Sequence, residues 1–323
     1  MSSDGSPTLD RRTFDLLRLV GANEPIGSIR LVELLQQRGY SIKDRTVRLT
    51  LAELDDAGLT AKVPGMGREL TDAGRAELER GDVSGRLAQV RERIATLQSQ
   101  VSYDPSDDTG DLIVAEAEVS NDAVDDALAD LRALDDAGMG PVLAASEPTD
   151  GGRRFAFPSS VTLDGSLLVR GIDTELQTAG LVEYEPETAS VQRYVDAISG
   201  EGSTMDVVRL LIEAERTSID DVLAGETGVL IVDNHEFPLT RYEETKTATE
   251  ELVASLGGVL EIVRPRENGP FPGEAPGWDF AAITYAGVAE LALSLLAERG
   301  RLRDWETLGG LRAREALAPV EEL

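Results

Sequence analysis

The chain has 323 residues, 41% of them hydrophobic, which is enough for one large or two ordinary domains with buried cores. It has no cysteine and one histidine, which disfavours disulfides, thiolate or histidine metal sites, and a Ser-His-Asp triad. No run of eighteen apolar residues predicts a membrane span, and the N-terminus lacks the hydrophobic core of a signal peptide. We therefore expect a cytoplasmic protein that is not an enzyme and binds no metal or cofactor.

Charge is unevenly distributed along the chain. The formal net charge is −29, and only three of the 31 basic residues are lysine, which indicates adaptation to a salt-rich cytoplasm. Residues 1–80 hold twelve Lys plus Arg against thirteen Asp plus Glu, whereas the other 243 hold nineteen against 47. Acidic pairs are thus poor catalytic clues here, while the nearly neutral N-terminal quarter suits a DNA-facing module.

Residues 9–80 predict a winged helix-turn-helix. A first helix over Leu9–Val20 is followed by a second over Ile29–Arg38, which Gly39 ends. A third helix begins at Ser41, whose hydroxyl and the carboxylate of Asp44 form a variant of the capping box. The second helix turns Ile29, Val32, Leu34 and Leu35 inward, and the third has an apolar stripe of Val47, Leu51, Leu54 and Ala57.

The outer face of the third helix carries side chains that suit a DNA groove, namely Lys43, Arg45, Thr46, Arg48 and Thr50. Arginine pairs with guanine O6 and N7, and threonine contacts a base edge or a thymine methyl. The strands Leu59–Val63 and Arg68–Thr71 flank a glycine-rich turn and predict a wing, with Lys62 and Arg68 near phosphates. A cap at Thr71 starts one more helix. The alternative is a structural helical hairpin with a solvated cationic face.

A linker helix is predicted over residues 85–103. Its apolar residues follow a narrow heptad-like spacing: Leu87, Val90, Ile94, Leu97 and Val101. Such a seam favours pairing with a second copy in a homodimer, which would suit paired DNA half-sites. The alternative is that the helix packs on its own regulatory domain.

Residues 104–300 alternate between strand and helix patterns, which predicts a mixed α/β regulatory domain of undetermined topology. Residues 301–323 are expected to be a partly ordered tail. The fold class is therefore α+β. The predicted strands are 112–119, 141–145, 155–162, 166–170, 180–185, 192–198, 229–233, 259–263 and 280–285, and the helices are 121–138, 204–215, 218–223, 240–256 and 287–299.

Several stretches resemble the NrpR family of archaeal nitrogen-responsive repressors, whose winged helix is similar to that of ribonuclease R-type proteins. In the N-terminal part the matching stretches are 39–42, 45–48, 54–59 and 67–71, together with Gly74 and the junction Tyr103-Asp104-Pro105. In the regulatory part they are 159–162, Gly165, 167–168, 171–172, 198–206, 217–219, 236–238 and 257–260. The resemblance covers roughly residues 10–300, with length for one regulatory copy.

The resemblance implies a repressor whose DNA binding is relieved by 2-oxoglutarate. A dicarboxylate needs hydroxyls, a cation and backbone N–H groups at a helix start. The candidate effector-binding residues are Ser159, Ser160, Gly202, Ser203, Thr204 and Glu236. Residues 202–204 could equally be an ordinary helix cap. His235 and Glu236 could line the same pocket, but the favoured interpretation is that they are plain loop residues. The family usually has cysteine at position 159 and arginine at position 235, so the effector identity stays open.

We therefore expect a dimeric, sequence-specific DNA-binding regulator, more specifically a repressor, that senses a small anionic metabolite such as 2-oxoglutarate. Its partners would be double-stranded DNA, the effector and a second copy of the chain, without a membrane. Two alternatives belong to other classes: an enzyme whose winged helix only positions the α/β domain, and a protein-interaction module. The absence of a P-loop and of a dinucleotide fingerprint counts against the enzyme.

Overall fold

A computed structural model of the chain describes residues 11–37, 40, 42–81, 93–199, 207–265, 267, 269–271 and 277–323. The chain divides into two compact units, residues 1–88 and 89–323. In the described part, no helix is long and apolar enough to cross a membrane.

The first unit is a winged helix-turn-helix, as predicted. Its described elements are α1 (Arg11–Asn23), α2 (Ser28–Gln37), α3 (Asp44–Asp56), β1 (Thr60–Val63), β2 (Gly67–Leu70) and α4 (Asp72–Gly81). One apolar cluster holds the helices together through leucines of α1 to α3 and the stripe residues Val47, Leu51 and Leu54. The hydroxyl of Thr71 accepts a hydrogen bond from the Gly74 N–H at 3.0 Å, which confirms the predicted cap of α4.

Two details of the first unit differ from the prediction. Helix α3 begins at Asp44, and Lys43 before it makes no side-chain capping contact; Ser41 lies outside the described residues. Ile29 was predicted to face inward, but it is 68% exposed, and Leu31 and Leu35 are the buried residues of α2. Ile29 stands in the first turn of α2, where its position in the helical period points away from the core.

The second unit contains two antiparallel sheets and seven helices among its described residues. They are α5 (93–100), β3 (Asp111–Ser120), α6 (Val124–Leu134), β4 (Leu143–Thr149), β5 (Gly152–Pro158), α7 (Thr162–Val169), β6 (Glu175–Glu185), β7 (Ser190–Ser199), α8 (Val207–Glu213), α9 (Ile219–Leu223), β8 (Gly228–Pro238), α10 (Tyr242–Leu256), β9 (Val259–Val263), β10 (Phe280–Ala286), α11 (Val288–Glu298), β11 (Leu302–Ala313) and β12 (Ala318–Pro319).

Each sheet has five strands. The strand orders are β7-β6-β8-β10-β9 and β11-β3-β5-β4-β12, and every neighbouring pair is antiparallel. Helix α11 is buried over Val288–Leu296, so it is the central helix of the unit. A helix that is apolar on all sides is stable only when neighbours cover every face. Here α11 joins residues of both sheets into one core, and α7 and α10 contribute to a second core.

Several predicted elements of the second unit are corrected. Ser166–Arg170 is not a strand; it belongs largely to α7, whose short apolar sequence has no period that separates strand from buried helix. Residues 301–323 are not a tail, because β11 pairs with β3 from Leu302 to Ala313. Helix α6 starts at Val124, and Asn121 provides no cap. The strand predicted to end at Asp233 continues to Pro238.

The described part of the linker helix packs on its own unit. Leu97 contacts the second core, and Val101, which follows α5, is 4% exposed within it. This supports the second interpretation of the heptad spacing for residues 94–101. Leu87 and Val90 lie outside the described residues, and the homodimer remains a prediction.

Candidate functional site

The N-terminal half of α3 presents the cationic surface of the first unit. Lys43, Arg45 and Arg48 are exposed, whereas Thr46 is half-buried. Within the described residues, Lys43 and Arg45 have no ion-pair partner. Arg48 lies 2.8 Å from Asp44 Oδ2. A solvent-exposed pair of this kind contributes about 0–1 kcal/mol, so Arg48 can exchange it for another acceptor at little cost.

Thr50 does not belong to the DNA-facing surface of α3, contrary to the prediction. It is 6% exposed and lies on the same side of α3 as Val47 and Leu54. Residues three and four apart share one helix face, so position 50 belongs to the stripe that packs on the core. The exposed neighbour is Leu49, 56% accessible, which adds an apolar side chain to the cationic surface.

The wing is fixed to α3 through Asp55. Arg68 donates from Nε to both carboxylate oxygens of Asp55, at 3.3 and 3.2 Å, and the Thr60 hydroxyl donates to the same group at 2.6 Å. Arg68 is therefore committed to the fold and not placed to contact phosphates as predicted. Its cross-strand neighbour Lys62 is 71% exposed and lies 3.7 Å from Asp55, so its ammonium remains accessible.

Gly67 allows the wing to lie close to the chain before α2. Arg68 exchanges two backbone hydrogen bonds with Ile26, at 3.0 and 2.9 Å. Gly67 has a φ of 134°, and a Cβ there would lie 2.1 Å from the Ile26 carbonyl oxygen. Only glycine fits both the backbone conformation and this approach.

The second unit contains a cavity of about 160 Å³ between α5, the residues before α7, β6, β8 and α11. Ser159 and Ser160, predicted to bind the effector, both line it. Half of the lining residues have apolar side chains. The lining residues are Arg93, Ile94, Ser159, Ser160, Val161, Leu176, Ala179, Val207, Val208, Asp233, Glu290, Glu306, Thr307 and Leu308.

The other predicted effector residues are not at this cavity. Gly202, Ser203 and Thr204 lie outside the described residues. Glu236 is in β8, next to Asp233 and His235 in sequence but on the opposite face of the strand, where it pairs with Glu175 of β6. Burial, with a contribution from Glu175, raises the pKa of Glu236.

Two carboxyl groups and one hydroxyl form the floor of the cavity. The Ser160 Oγ lies 2.6 Å from Asp233 Oδ2 and 3.0 Å from Glu290 Oε1. Burial, followed by the neighbouring charge of Asp233, raises the pKa of Glu290 to about 7. Burial also raises the pKa of Asp233.

A buried ion pair lies next to this floor. The Nδ1 of His235 is 2.9 Å from Asp164 Oδ1, which makes the two side chains an ion pair. Burial favours neutral imidazole, but the Asp164 charge prevails and raises the His235 pKa. Burial opposes ionisation of Asp164 too, yet His235 lowers its pKa. Thr174 and Gln98 donate to the Asp164 carboxylate at 2.5 and 3.1 Å, so α5 contacts this pair.

Sequence reasoning missed Leu49, Asp164, Asp233 and Glu290, and it favoured a loop for His235. Two signals were present. Glu290 is the one charged residue in the run Val288–Leu296, whose other members are apolar apart from Ser294, and Asp233 and His235 follow directly on the apolar strand residues 229–232. A charge within a buried element is costly unless it has a partner, so such positions point to a functional or paired group.

Comparison with known proteins identifies the class and the family. Residues 16–78 match the model of the ribonuclease R winged-helix domain. Residues 87–294 match that of NrpR regulatory domains NRD1 and 2.

Curated relatives carry the names of regulators. The chain is 28% identical over 249 residues to the global nitrogen regulator NrpRI of Methanosarcina mazei, covering 74% of this chain and 76% of the relative. It is 27% identical to the global nitrogen regulators NrpR of Methanocaldococcus jannaschii and Methanococcus maripaludis, covering 75% and 70% of this chain. It spans only 44% and 41% of those two relatives.

A crystal structure of a nitrogen repressor-like protein from Methanococcus jannaschii has a similar fold, with a TM-score of 0.56 and 19% identity over 72% of this chain and 98% of that one. A winged helix joined to an α/β unit, together with these relatives, makes the chain a transcriptional regulator and agrees with the prediction of a non-enzymatic protein. It belongs to the NrpR family, whose model covers more than half of its length.

Proposed function

We propose that the chain is a sequence-specific DNA-binding repressor that acts as a homodimer and responds to a small anionic metabolite, with 2-oxoglutarate as the candidate. The observation that carries the DNA-binding part is the exposed cationic half of α3 within a nearly neutral first unit of a chain with a net charge of −29. In a chain with a large acid excess, cations concentrated on one helix need a specific reason.

Contacts are assigned by exposure and chemistry. Arg45 and Arg48 read guanine edges, and Leu49 packs on a thymine methyl. Thr46 reaches a base edge from the same turn. Lys43 and Lys62 contact the phosphate backbone and carry no sequence information. Thr50 and Arg68 have no part in this interface, since one is buried and the other is held by Asp55.

The effector part is supported by the cavity of the second unit. Ser159 and Ser160 supply buried hydroxyls, and Arg93 is a cation at the wall. Helix α5, which carries Arg93 and Ile94 into the wall, is also where the chain enters the second unit from the winged helix. A ligand that changes the position of α5 therefore has a direct covalent route to the DNA-binding unit.

DNA binding is tested with a double variant. DNA fragments retained by the full chain are first selected from sheared genomic DNA at high KCl, and their affinity is then measured by fluorescence anisotropy. Arg45→Ala with Arg48→Ala should weaken binding to a selected fragment by at least ~30-fold, because each bidentate arginine–guanine contact is worth about 1–3 kcal/mol. Both side chains are exposed, so thermal stability should change by less than about 0.5 kcal/mol.

The matched control removes the same charge elsewhere. Arg193 and Arg216 are exposed in the second unit, and Arg193→Ala with Arg216→Ala should leave affinity within about twofold. Unchanged binding by the Arg45/Arg48 variant would show that α3 is not the reading helix. Adding 2-oxoglutarate should weaken binding of the unaltered chain, whereas tighter binding would reverse the assigned sign of regulation.

A further inference from the structure

The floor of the cavity has fewer protons than its contacts require if both acids are ionised. The Ser160 Oγ lies within hydrogen-bonding distance of Asp233 Oδ2 and Glu290 Oε1. A serine hydroxyl has one hydrogen, and an ionised carboxylate can only accept. One contact is therefore satisfied by the hydroxyl, and the other requires a proton on a carboxyl group. The Ser160 N–H also points to Glu290 at 3.3 and 3.4 Å.

The surrounding charges do not replace that proton. His235 on β8 is paired with Asp164 of α7, and Arg93 of α5 is paired with Glu306 of β11 at 2.7 Å. On β10, the neutral Tyr285 donates its hydroxyl to the Gly257 carbonyl oxygen. Among the described lining residues Arg93 is the one cation, against three carboxyl groups. Two ionised, buried carboxyls sharing one site are unfavourable, so one of them keeps its proton until the pH rises past about 7.

A second group in the wall points to a ligand independently. Ser159 is 3% exposed and lines the cavity. Its backbone N–H bonds to the Ile113 carbonyl oxygen, but its hydroxyl has no partner among the described residues. Buried hydroxyls normally have a hydrogen-bond partner, so a buried hydroxyl without one in the wall of a cavity is available to bind a ligand. A comparable cavity of roughly 150 Å³ holds benzene, so a compact group of about six heavy atoms, such as one end of a dicarboxylate, fits.

Resting on the proposed function, we propose that Ser160, Asp233 and Glu290 form the binding floor for a carboxylate of the effector and that this carboxylate is taken up together with one proton. On binding, the neutral carboxyl turns its proton from the Ser160 Oγ to the incoming carboxylate, while the Ser160 hydroxyl keeps its one donated hydrogen bond to the other carboxyl group. Ser159 donates a second hydrogen bond to the ligand. Effector binding is then coupled to pH at this floor. The ligand class is a small carboxylic acid anion, and 2-oxoglutarate is the probe.

The sign of the coupling follows from the proton count. With the Glu290 pKa at about 7, the free floor already holds the proton below pH 6, so affinity should be nearly constant there. At higher pH the proton must come from solvent on binding. Affinity should then fall by about tenfold per pH unit above pH 7, with an uptake that approaches one proton per ligand.

The test is isothermal titration calorimetry of the full chain with 2-oxoglutarate at pH 6 and pH 8, each in two buffers of different ionisation enthalpy. We expect uptake of about 0.9 proton at pH 8 and about 0.1 at pH 6. Binding with the same affinity at both pH values and no proton uptake would overturn the proposal while leaving the effector in place. No heat at either pH would instead remove 2-oxoglutarate from both this proposal and the proposed function.

Two variants sharpen the result. Glu290→Gln keeps the shape and a hydrogen-bond donor but cannot titrate, so it should bind with pH-independent affinity and no proton uptake. Glu261→Gln removes a partly buried carboxyl group of raised pKa from β9, outside the cavity, and should keep the uptake of the unaltered chain. Proton uptake that persists in Glu290→Gln would assign the proton elsewhere and overturn the role of this residue.

The proton that the carboxyl groups of Asp233 and Glu290 share in the ligand-free chain can be detected without any ligand. Infrared spectroscopy should detect the C=O stretch of a neutral carboxylic acid at pH 6 that is lost towards pH 8 and is absent in Glu290→Gln at both. If the unaltered chain lacks this titrating band, the shared proton does not exist. The DNA-binding assay does not enter any of these readouts, so a failure of DNA recognition is distinguishable from a failure at the floor.

Discussion

Carboxyl groups in an apolar interior strongly influence stability, and the second unit buries three of them close together. Asp164 is balanced by His235, whereas Asp233 and Glu290 share Ser160. Burying a charge without a partner is far more costly than burying a neutral acid. The pair at Ser160 therefore makes the stability of the unit depend on pH through Glu290.

Glu290→Gln should stabilise the chain, and the gain should grow with pH. The folded-state pKa of Glu290 is about 7 against an ordinary 4.5, so the native state holds a proton that the unfolded chain releases. The contribution of Glu290 to the free energy of unfolding is fully present below pH 4.5 and is lost as the pH rises through 7. This contribution amounts to roughly 3 kcal/mol. Between pH 5.5 and 8 the advantage of glutamine should grow by about 2 kcal/mol in urea unfolding experiments.

The pair of Asp164 and His235 titrates in both proteins, so its contribution cancels from the difference. His235 contributes stability below its raised pKa and Asp164 above its lowered pKa. Glu306→Gln is the control, because its side chain is 53% exposed and its removal should change the free energy of unfolding by less than about 1 kcal/mol. A constant difference for Glu290→Gln would mean that this acid is ionised in the native state.

At the residue scale, the sequence predicted contacts that depend on helical period and missed those that depend on long-range packing. Arg45 and Arg48 are exposed because they stand opposite the apolar stripe. Thr50 could have been excluded by the same rule, since it lies three residues after Val47 and four before Leu54. The commitment of Arg68 to Asp55 joins residues 13 positions apart across the wing, and no local pattern contains it.

At the scale of elements, β11 decides whether the second unit can fold. It covers β3 on the side opposite β5, and a β3 without it would expose a row of unpaired N–H and C=O groups. The sequence of β11 is rich in charge and glycine, and it lies within the stretch that was predicted to be a tail. Its strand conformation comes from pairing with β3 and not from an apolar alternation of its own.

Truncation after Gly300 should therefore prevent stable folding of the second unit. The deletion removes the partner of β3 and the buried Val320, and the loss should exceed the 5–15 kcal/mol that holds a typical domain together. Soluble yield and circular dichroism report the outcome. Removing only residues 321–323 keeps β11, β12 and Val320, and should leave most of the stability. A soluble, cooperatively folding chain without β11 would contradict this account.

Helix α7 shows that the spacing of apolar residues cannot always distinguish a helix from a strand. Its residues Thr162–Leu167 are buried together, so neither the period of a helix nor that of a strand is visible in the sequence. Tertiary contacts decide the outcome: Thr162 bonds to the backbone of Ile113, and Gly165 lies so close to Val101 that a Cβ would be 2.5 Å from its side chain. The glycine was visible in the sequence, but the neighbour that requires it was not.

At the scale of the whole molecule, the two units differ in charge and should respond differently to salt. Residues 1–80 are nearly neutral, whereas the remaining chain has 28 more acidic than basic residues. Repulsion among these acids opposes the compact state at low ionic strength. The screening length falls from about 10 Å at 0.1 M salt to about 3 Å at 1 M, which removes most of that repulsion.

Thermal unfolding at 0.1 M and 2 M KCl separates the two responses within one molecule. Both tryptophans, Trp278 and Trp305, lie in the second unit, so their fluorescence reports that unit alone, while circular dichroism reports both. The fluorescence midpoint should rise by several degrees, because each 1 kcal/mol shifts the midpoint by about 2–4 °C in a unit of this size. The transition of the first unit, seen only by circular dichroism, should move less. The opposite result would be a fluorescence midpoint that stays constant while the midpoint of the first unit rises. In that case the acid excess does not cause the dependence of stability on salt. The nearly neutral charge of the winged helix would then need an explanation other than DNA binding.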